Sequence, residues 1–359
     1  MVQGKSEFDN QLEEIDKERY INDMELREPK IYGIGNPLID IIVNISEDDL
    51  NKLGIYKGAM HLIDEKRRAL LLEHITSLPR TLLCGGSCPN TIITLASLGL
   101  YATLAGKVGN DEFGTIYRER LKELKVRDEL VHCAEPTGSS IILITEDSER
   151  TMNTYLGANR LFNKNDIVVK TLRDATYFYF TGYMWDTTEQ KSAITEALKI
   201  AKEANVKVAF DIADPLAVGR NRDQFLEIIK ESADIVFANG EEARILFDNY
   251  DPYECCKSMG KLCETAVVKN GKHGSFVSHK KEIIKIAVQG PAKAVDTTGA
   301  GDVYAAGFLF GMAKNLGVEN AGYIASYLAG EIIQQRGAQF SKEKALEIGT
   351  FLKEKFNLK

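Results

Sequence analysis

A chain of 359 residues with a net charge of −7 has room for one large domain, alone or with a smaller appendage. Hydrophobic residues make up 44% of it, enough for a sizeable core. The acidic balance, with no lysine-rich tract, argues against nucleic acid or an anionic membrane surface as main partner.

The six cysteines, Cys84, Cys88, Cys133, Cys255, Cys256 and Cys263, form no CxxC pair and no disulfide rhythm. With no signal peptide, reduced thiols in a cytoplasmic protein are expected. The longest uncharged stretch, 81–106, is broken by Gly85-Gly86-Ser87-Cys88-Pro89-Asn90 and is no membrane span. The five histidines are scattered and offer no histidine metal site.

Residues 1–30 are mostly charged or polar. Phe8, Leu12 and Ile15 form a weak helical stripe, so a frayed or docked helix is expected. Residues 32–43 read as a buried strand broken by Gly33-Ile34-Gly35-Asn36-Pro37. Its Gly-x-Gly lacks a third glycine, and Pro37 occupies the next turn, which rejects a dinucleotide fingerprint. Asn36 and Asp40 are polar groups in or near an apolar strand. Such groups need hydrogen bonds, which a turn cap or a bound ligand would supply.

Residues 54–64 read as extended and 65–76 as a helix. The glycines at 85–86 precede an apolar helical run at 91–98, so backbone N–H groups would point into a cleft. A plain loop with Asn90 as N-cap accounts for the same residues. A strand at 101–107 and a helix at 111–124 follow. Residues 139–145 and 151–155, joined by Glu146-Asp147-Ser148-Glu149, read as a hairpin. It interrupts the strand–helix alternation, which suggests an appended sheet or lid, with Arg150 at its mouth.

From residue 175 the alternation is regular. Strands at 176–180, 207–212, 234–238 and 265–269 alternate with helices near 188–204, 223–231 and 252–262, and another helix follows Asn239. This pattern implies a parallel sheet covered on both faces. Ligands of such sheets bind beyond the carboxyl ends of the strands, where Asn36, Asp211, Asn239 and Lys269 fall. A strand-like lead-in (Ile283, Ile284, Ile286, Val288) then reaches Asp296-Thr297-Thr298-Gly299-Ala300-Gly301-Asp302, which opens an apolar helix at 303–313. Two glycines at a helix N-terminus let the backbone close around an anion. Asp302 stands where a base is needed, a pairing suited to phosphoryl transfer to a hydroxyl. A glycine turn with Asp302 as helix cap rests on the same physics. A last helix, 321–336, stops at Gly337.

These motifs resemble those of the PfkB/ribokinase carbohydrate kinases. Residues 296–302 are similar to the family's DTxGAGD signature, Gly85-Gly86 with Asn90 to its GG-x3-N, and Asn239 with Glu242 to its NxxE, in the family's order. Gly35-Asn36-Pro37-Leu38-Ile39-Asp40 resembles the opening of the family's adenosine kinases, as do residues 143–157 and 182–186. The implied fold is α/β: a ribokinase-like three-layer α/β/α sandwich with a mainly parallel central sheet and a small β lid. The expected division is an N-terminal extension (1–30), a large domain with ATP site and catalytic loop (31–45, 61–131, 159–359) and the lid (46–60, 132–158).

The resemblance implies ATP-dependent phosphorylation of a nucleoside 5′-hydroxyl, with adenosine giving AMP in purine salvage. A sugar kinase, an inosine or guanosine kinase and a non-catalytic nucleoside-binding protein are the alternatives. By the resemblance Asp302 is the base and the amides of Gly299, Ala300 and Gly301 are the anion hole. Asp40 meets the ribose hydroxyls, helped by Gly85, Gly86 and Asn90. Asn36 and Ser87 meet the purine edge, with Leu38 and Tyr183 as its apolar surface. Arg150 closes with the lid onto phosphate. Asn239, Lys269, Gly271 and Thr298 border ATP. Asn239 and Glu242 orient Mg²⁺, and K⁺ beside residues 296–298 is compatible. The implied assembly is a monomer or small homo-oligomer. Gly240 stands where many relatives carry Glu, and Gln335-Arg336-Gly337 departs from the animal enzymes.

Overall fold

The computed structural model describes residues 29–147, 149–290 and 294–358; the helix expected in 1–30 lies outside them. The strands, in chain order, are β1 (Lys30–Ile34), β2 (Leu38–Asn44), β3 (Met60–Leu62), β4 (Arg80–Gly85), β5 (Tyr101–Gly109), β6 (Arg127–Cys133) and β7 (Ser139–Ile144). Then follow β8 (Arg150–Tyr155), β9 (Tyr177–Thr181), β10 (Lys207–Asp211), β11 (Ile235–Asn239), β12 (Thr265–Lys269), β13 (Ser275–His279) and β14 (Glu282–Ile286).

The large sheet runs β14-β13-β12-β11-β10-β9-β1-β5-β6. It is parallel from β12 to β6, with an antiparallel hairpin at one edge. Strand β9 shows why it must be covered on both sides: all five of its residues are buried. Phe178 and Phe180 stack on one face, Phe180 on Phe210, with Phe225 edge-on below. Tyr179 packs into the core of the other face with Phe237 and Phe308, the latter from the Ala300–Ala313 helix. Helices therefore flank a central sheet, the ribokinase-like architecture expected.

The second sheet runs β3-β8-β7-β2-β4. Here the expected division needs correction: residues 38–44 and 80–85 were assigned to the large domain and are lid strands. In β2, buried Ile39, Ile41 and Val43 alternate with more exposed Leu38, Asp40 and Ile42. A strand with one apolar face cannot sit inside a sheet covered on both sides. Only Gly35, Asn36 and Pro37 separate β1 from β2, so the chain steps directly from one sheet to the other at Asn36.

Several elements escaped the sequence reading. Strand β6 is charged, as befits an edge, and β13 and the Lys342–Phe356 helix were also missed. The helix expected at 223–231 begins at Pro215 and kinks at Asn221. The last predicted helix spans Gly317–Ile332, four residues short of its expected end. Among the described residues no helix is long and apolar enough to cross a membrane.

Candidate active site

Between the two sheets, beyond the carboxyl ends of β1, β9, β10, β11 and β12, lies a cavity of about 1300 Å³. Its walls hold Asn36, Leu38, Asp40, Gly86, Ser87, Asn90, Tyr183, Asn239, Glu242, Lys269, Gly271 and the whole run Thr298–Asp302. Of the residues expected at the site, Gly85 and Arg150 stand behind its surface.

Asp302 is in the first turn of the Ala300–Ala313 helix and is met by one face of the Ser87–Ser97 helix. Ser87 Oγ donates to its Oδ1 at 2.6 Å and Asn90 Nδ2 to its Oδ2 at 2.9 Å. Thr91 Oγ1 donates to its backbone carbonyl at 3.0 Å. Positions i, i+3 and i+4 share a helix face, so one helix end orients the whole residue. Burial pushes the Asp302 carboxyl up to about 6, opposed by the Ser87 and Asn90 bonds. A carboxyl so placed is a competent base near neutrality. The resemblance places Ser87 at the purine edge and Asn90 at the ribose; in the structure both also line the cavity and donate to the Asp302 carboxylate. Gln339, absent from the sequence reading, donates to the Cys84 carbonyl at 2.6 Å and to Asn90 Oδ1 at 3.3 Å.

Asp40 projects from the lid sheet into the cavity. Burial pushes its carboxyl up to about 7; Arg150 opposes this and Asp302 adds to it. Gly85 pairs with Leu38 across β2–β4, diagonal to Asp40, and a methyl there would collide with the Asp40 carboxylate. The glycine thus makes room for the acid without touching the cavity.

The glycine loop turns at Gly299, whose φ of 73° and contact with Ala338 both exclude a side chain. The Ala300 N–H is spent on the Thr297 carbonyl at 3.2 Å. The amides of Gly301 and Asp302, at the positive end of the helix, have no intrahelical partner. At the expected anion hole the Gly301 and Asp302 amides are therefore unspent within the helix, while the Ala300 N–H bonds within the turn. Lys269 Nζ stands 3.4 Å from where a Gly301 side chain would begin, and pairs with buried Asp211 at 3.0 Å. Asp211, noted in sequence only for its place at a strand end, is thus what keeps a buried ammonium beside the anion hole.

Asp296 anchors the loop. Its Oδ1 accepts from the Thr298 N–H and Oγ1, and its Oδ2 from Arg150 Nη1 and the Gly337 N–H. These bonds outweigh burial and hold its carboxyl below its ordinary value. Both oxygens thus accept bonds from protein donors.

Asn239 and Glu242 cap the Gly240–Phe247 helix reciprocally. Glu242 Oε2 accepts the Asn239 N–H at 2.7 Å and Oε1 its amide at 2.6 Å. Burial pushes Glu242 up to about 7, with Lys269 opposing and Asp211 adding. Among the described residues no three metal-ligating side chains converge. Such a donor set fits an Mg²⁺ held by phosphate oxygens and water, with Asn239 and Glu242 in its outer sphere, and not by a protein cage. Elsewhere, the Tyr183 hydroxyl reaches Asp214 Oδ2 at 3.4 Å and Asn36 Oδ1 accepts from Gln190 at 2.9 Å.

The description "pfkB family carbohydrate kinase" matches residues 80–345. This chain belongs to that family. The kinase is similar to adenosine kinase from Sinorhizobium meliloti, at 35% identity and TM-score 0.81, covering 89% of this chain and 99% of that one. It is similar to a probable sugar kinase from Rhizobium etli, at 32% identity and TM-score 0.83, covering 92% and 99%. It also shares 31% identity over 277 residues, 76% of this chain and 88% of the relative, with ATP-dependent ribose-1-phosphate kinase from Halopiger xanaduensis. The kinase is accordingly a phosphotransferase with an alcohol acceptor, using ATP on a sugar or nucleoside.

Proposed function

We propose that the kinase transfers the γ-phosphoryl group of ATP to the 5′-hydroxyl of adenosine, giving AMP. The observation that carries this reading is the apolar lid side of the cavity. Leu38, Met60, Leu62, Met152 and Leu156 line it, and Tyr183 and Trp185 line the same cavity. A purine needs such a slot, whereas a sugar has hydroxyls on every side and would leave it wasted. The likeness to the adenosine kinase of S. meliloti supports the same reading.

In the proposed mechanism Asp40 accepts hydrogen bonds from vicinal ribose hydroxyls, which aims the 5′-hydroxyl towards Asp302. As the 5′-oxygen attacks the γ-phosphorus, its proton passes to an Asp302 carboxylate oxygen and the bond to the ADP oxygen breaks. The Gly301 and Asp302 amides and Lys269 stabilise the equatorial oxygens of the transferring group. Mg²⁺, when bound, neutralises phosphate charge. Ser87 and Asn90 keep the base aimed throughout.

The test is a panel of adenosine, inosine, guanosine, ribose and fructose with ATP and Mg²⁺. Adenosine is expected to give the highest kcat/KM. Product from a free sugar alone would defeat the nucleoside reading.

A further inference from the structure

Gln190 is wholly buried, at the third position of the Thr188–Ala204 helix, beneath the floor of the substrate cavity. Its Oε1 accepts the Thr187 N–H at 3.4 Å. Its Nε2 donates to the backbone carbonyl of Asn159 at 3.0 Å and to Asn36 Oδ1 at 2.9 Å. A backbone carbonyl can only accept and a backbone N–H can only donate, so the Gln190 amide cannot be reversed. That polarity passes to Asn36, which must present Oδ1 to Gln190 and turn its Nδ2 away. Asn36 lines the cavity, and its Nδ2 is not among the buried polar atoms sealed off without a partner. The cavity wall at Asn36 therefore carries an N–H donor of fixed sense.

We propose that Gln190 is a specificity-setting positioning residue: it locks Asn36 so that the acceptor substrate gains a hydrogen bond only by offering a lone pair there. A substrate offering an N–H meets donor against donor and leaves both unpaired, which costs more than a missing bond. The unsubstituted ring nitrogens of a purine present such lone pairs, so a donor of fixed sense at Asn36 accepts a purine edge through one of them. The inference rests on the nucleoside reading of this cavity and deepens it.

Gln190→Met keeps the side-chain length and removes both polar ends. The nucleoside KM is expected to rise about tenfold, the scale of one lost hydrogen bond, while the ATP KM and kcat change little. A folded Gln190→Met protein with unchanged nucleoside KM, or one that loses only Tm, overturns the proposal. Should this variant not fold, Asn36→Asp decides, because it leaves the Gln190 bond in place and turns the cavity-facing atom into an acceptor. Its adenosine KM is expected to rise similarly; an unchanged adenosine KM overturns the proposal. If wild-type protein uses a sugar and not adenosine, the nucleoside reading fails by itself. The Gln190 test then proceeds on that sugar, with the same KM criterion.

Discussion

Arg150 and Asp296 stand 146 positions apart in sequence, yet the guanidinium donates to the carboxylate at 2.6 Å and to Thr298 Oγ1 at the same distance. One arginine on β8 thus clasps the loop that leads into the Ala300–Ala313 helix. Lid position and anion-hole geometry are joined through a half-buried ion pair.

Replacing Arg150 by Met would break that clasp and leave Asp296 with its remaining donors but no cation. We expect kcat/KM to fall by about ten- to a hundredfold, since misplacement of a supporting contact costs on that scale. Arg150→Lys should recover part of the loss, because both bonds leave the one Nη1 and a lysine ammonium also donates more than once from a single nitrogen. Steady-state kinetics together with protease sensitivity of the lid hairpin would check this; wild-type kinetics in Arg150→Met would refute it.

Asp302→Asn keeps the shape and removes the base. Turnover is expected to drop at least about a hundredfold. Nucleoside binding, followed calorimetrically, should persist because Asp40 and the lid are untouched. Unchanged turnover would rule out the assignment of the base.

The pH dependence has a definite sign. Burial raises Asp302 to about 6 and Asp40 to about 7, both above an ordinary carboxyl of 3.8. The base must be ionised to act, so kcat/KM should climb as pH rises through this interval and level off above it. Stability runs the other way. A carboxyl raised on folding stabilises below its unfolded value, and that contribution is lost as pH rises through the folded value. Asp302→Asn should therefore gain Tm over wild type at pH 8 and gain little at pH 4.5. A Tm difference independent of pH would contradict the buried carboxyl as its cause.

Lys269 and Asp211 form a buried pair, so Lys269→Met would strand a carboxylate. The expected loss is about 3–5 kcal/mol in denaturant unfolding. The double variant Lys269→Met with Asp211→Leu should regain most of that stability and remain inactive, because the positive charge beside Gly301 is still missing. Recovery of activity in the double variant would show that Lys269 serves stability alone.

Much of this was visible in the chain. The strand–helix alternation after residue 175 follows from local hydrophobic periods. The glycine loop with Asp302 was legible because φ freedom and helix polarity are properties of a few adjacent residues. The fate of β2 was not: its alternating pattern says that one face is wet, but not which sheet will take it. Ser87 and Asn90 are legible as site residues, but their bonds to Asp302 are not, since these span 215 and 212 positions. Ala300 looked equivalent to its glycine neighbours until the turn at Thr297 consumed its N–H. Gln190 reads locally as the far end of a Thr187-x-x-Gln190 capping box, which accounts for it without Asn36, and Gln339 in its loop carries no local signature.

What the order of residues determined alone was the parallel α/β core, the glycine-lined helix start and the acid beside it, each a matter of neighbours in the chain and backbone freedom. What only the folded molecule decided was which donors face which acceptors across the cavity. Hydrogen bonding between distant side chains depends on packing two sheets and their helices to within a few tenths of an ångström, and no pattern of adjacent residues encodes that.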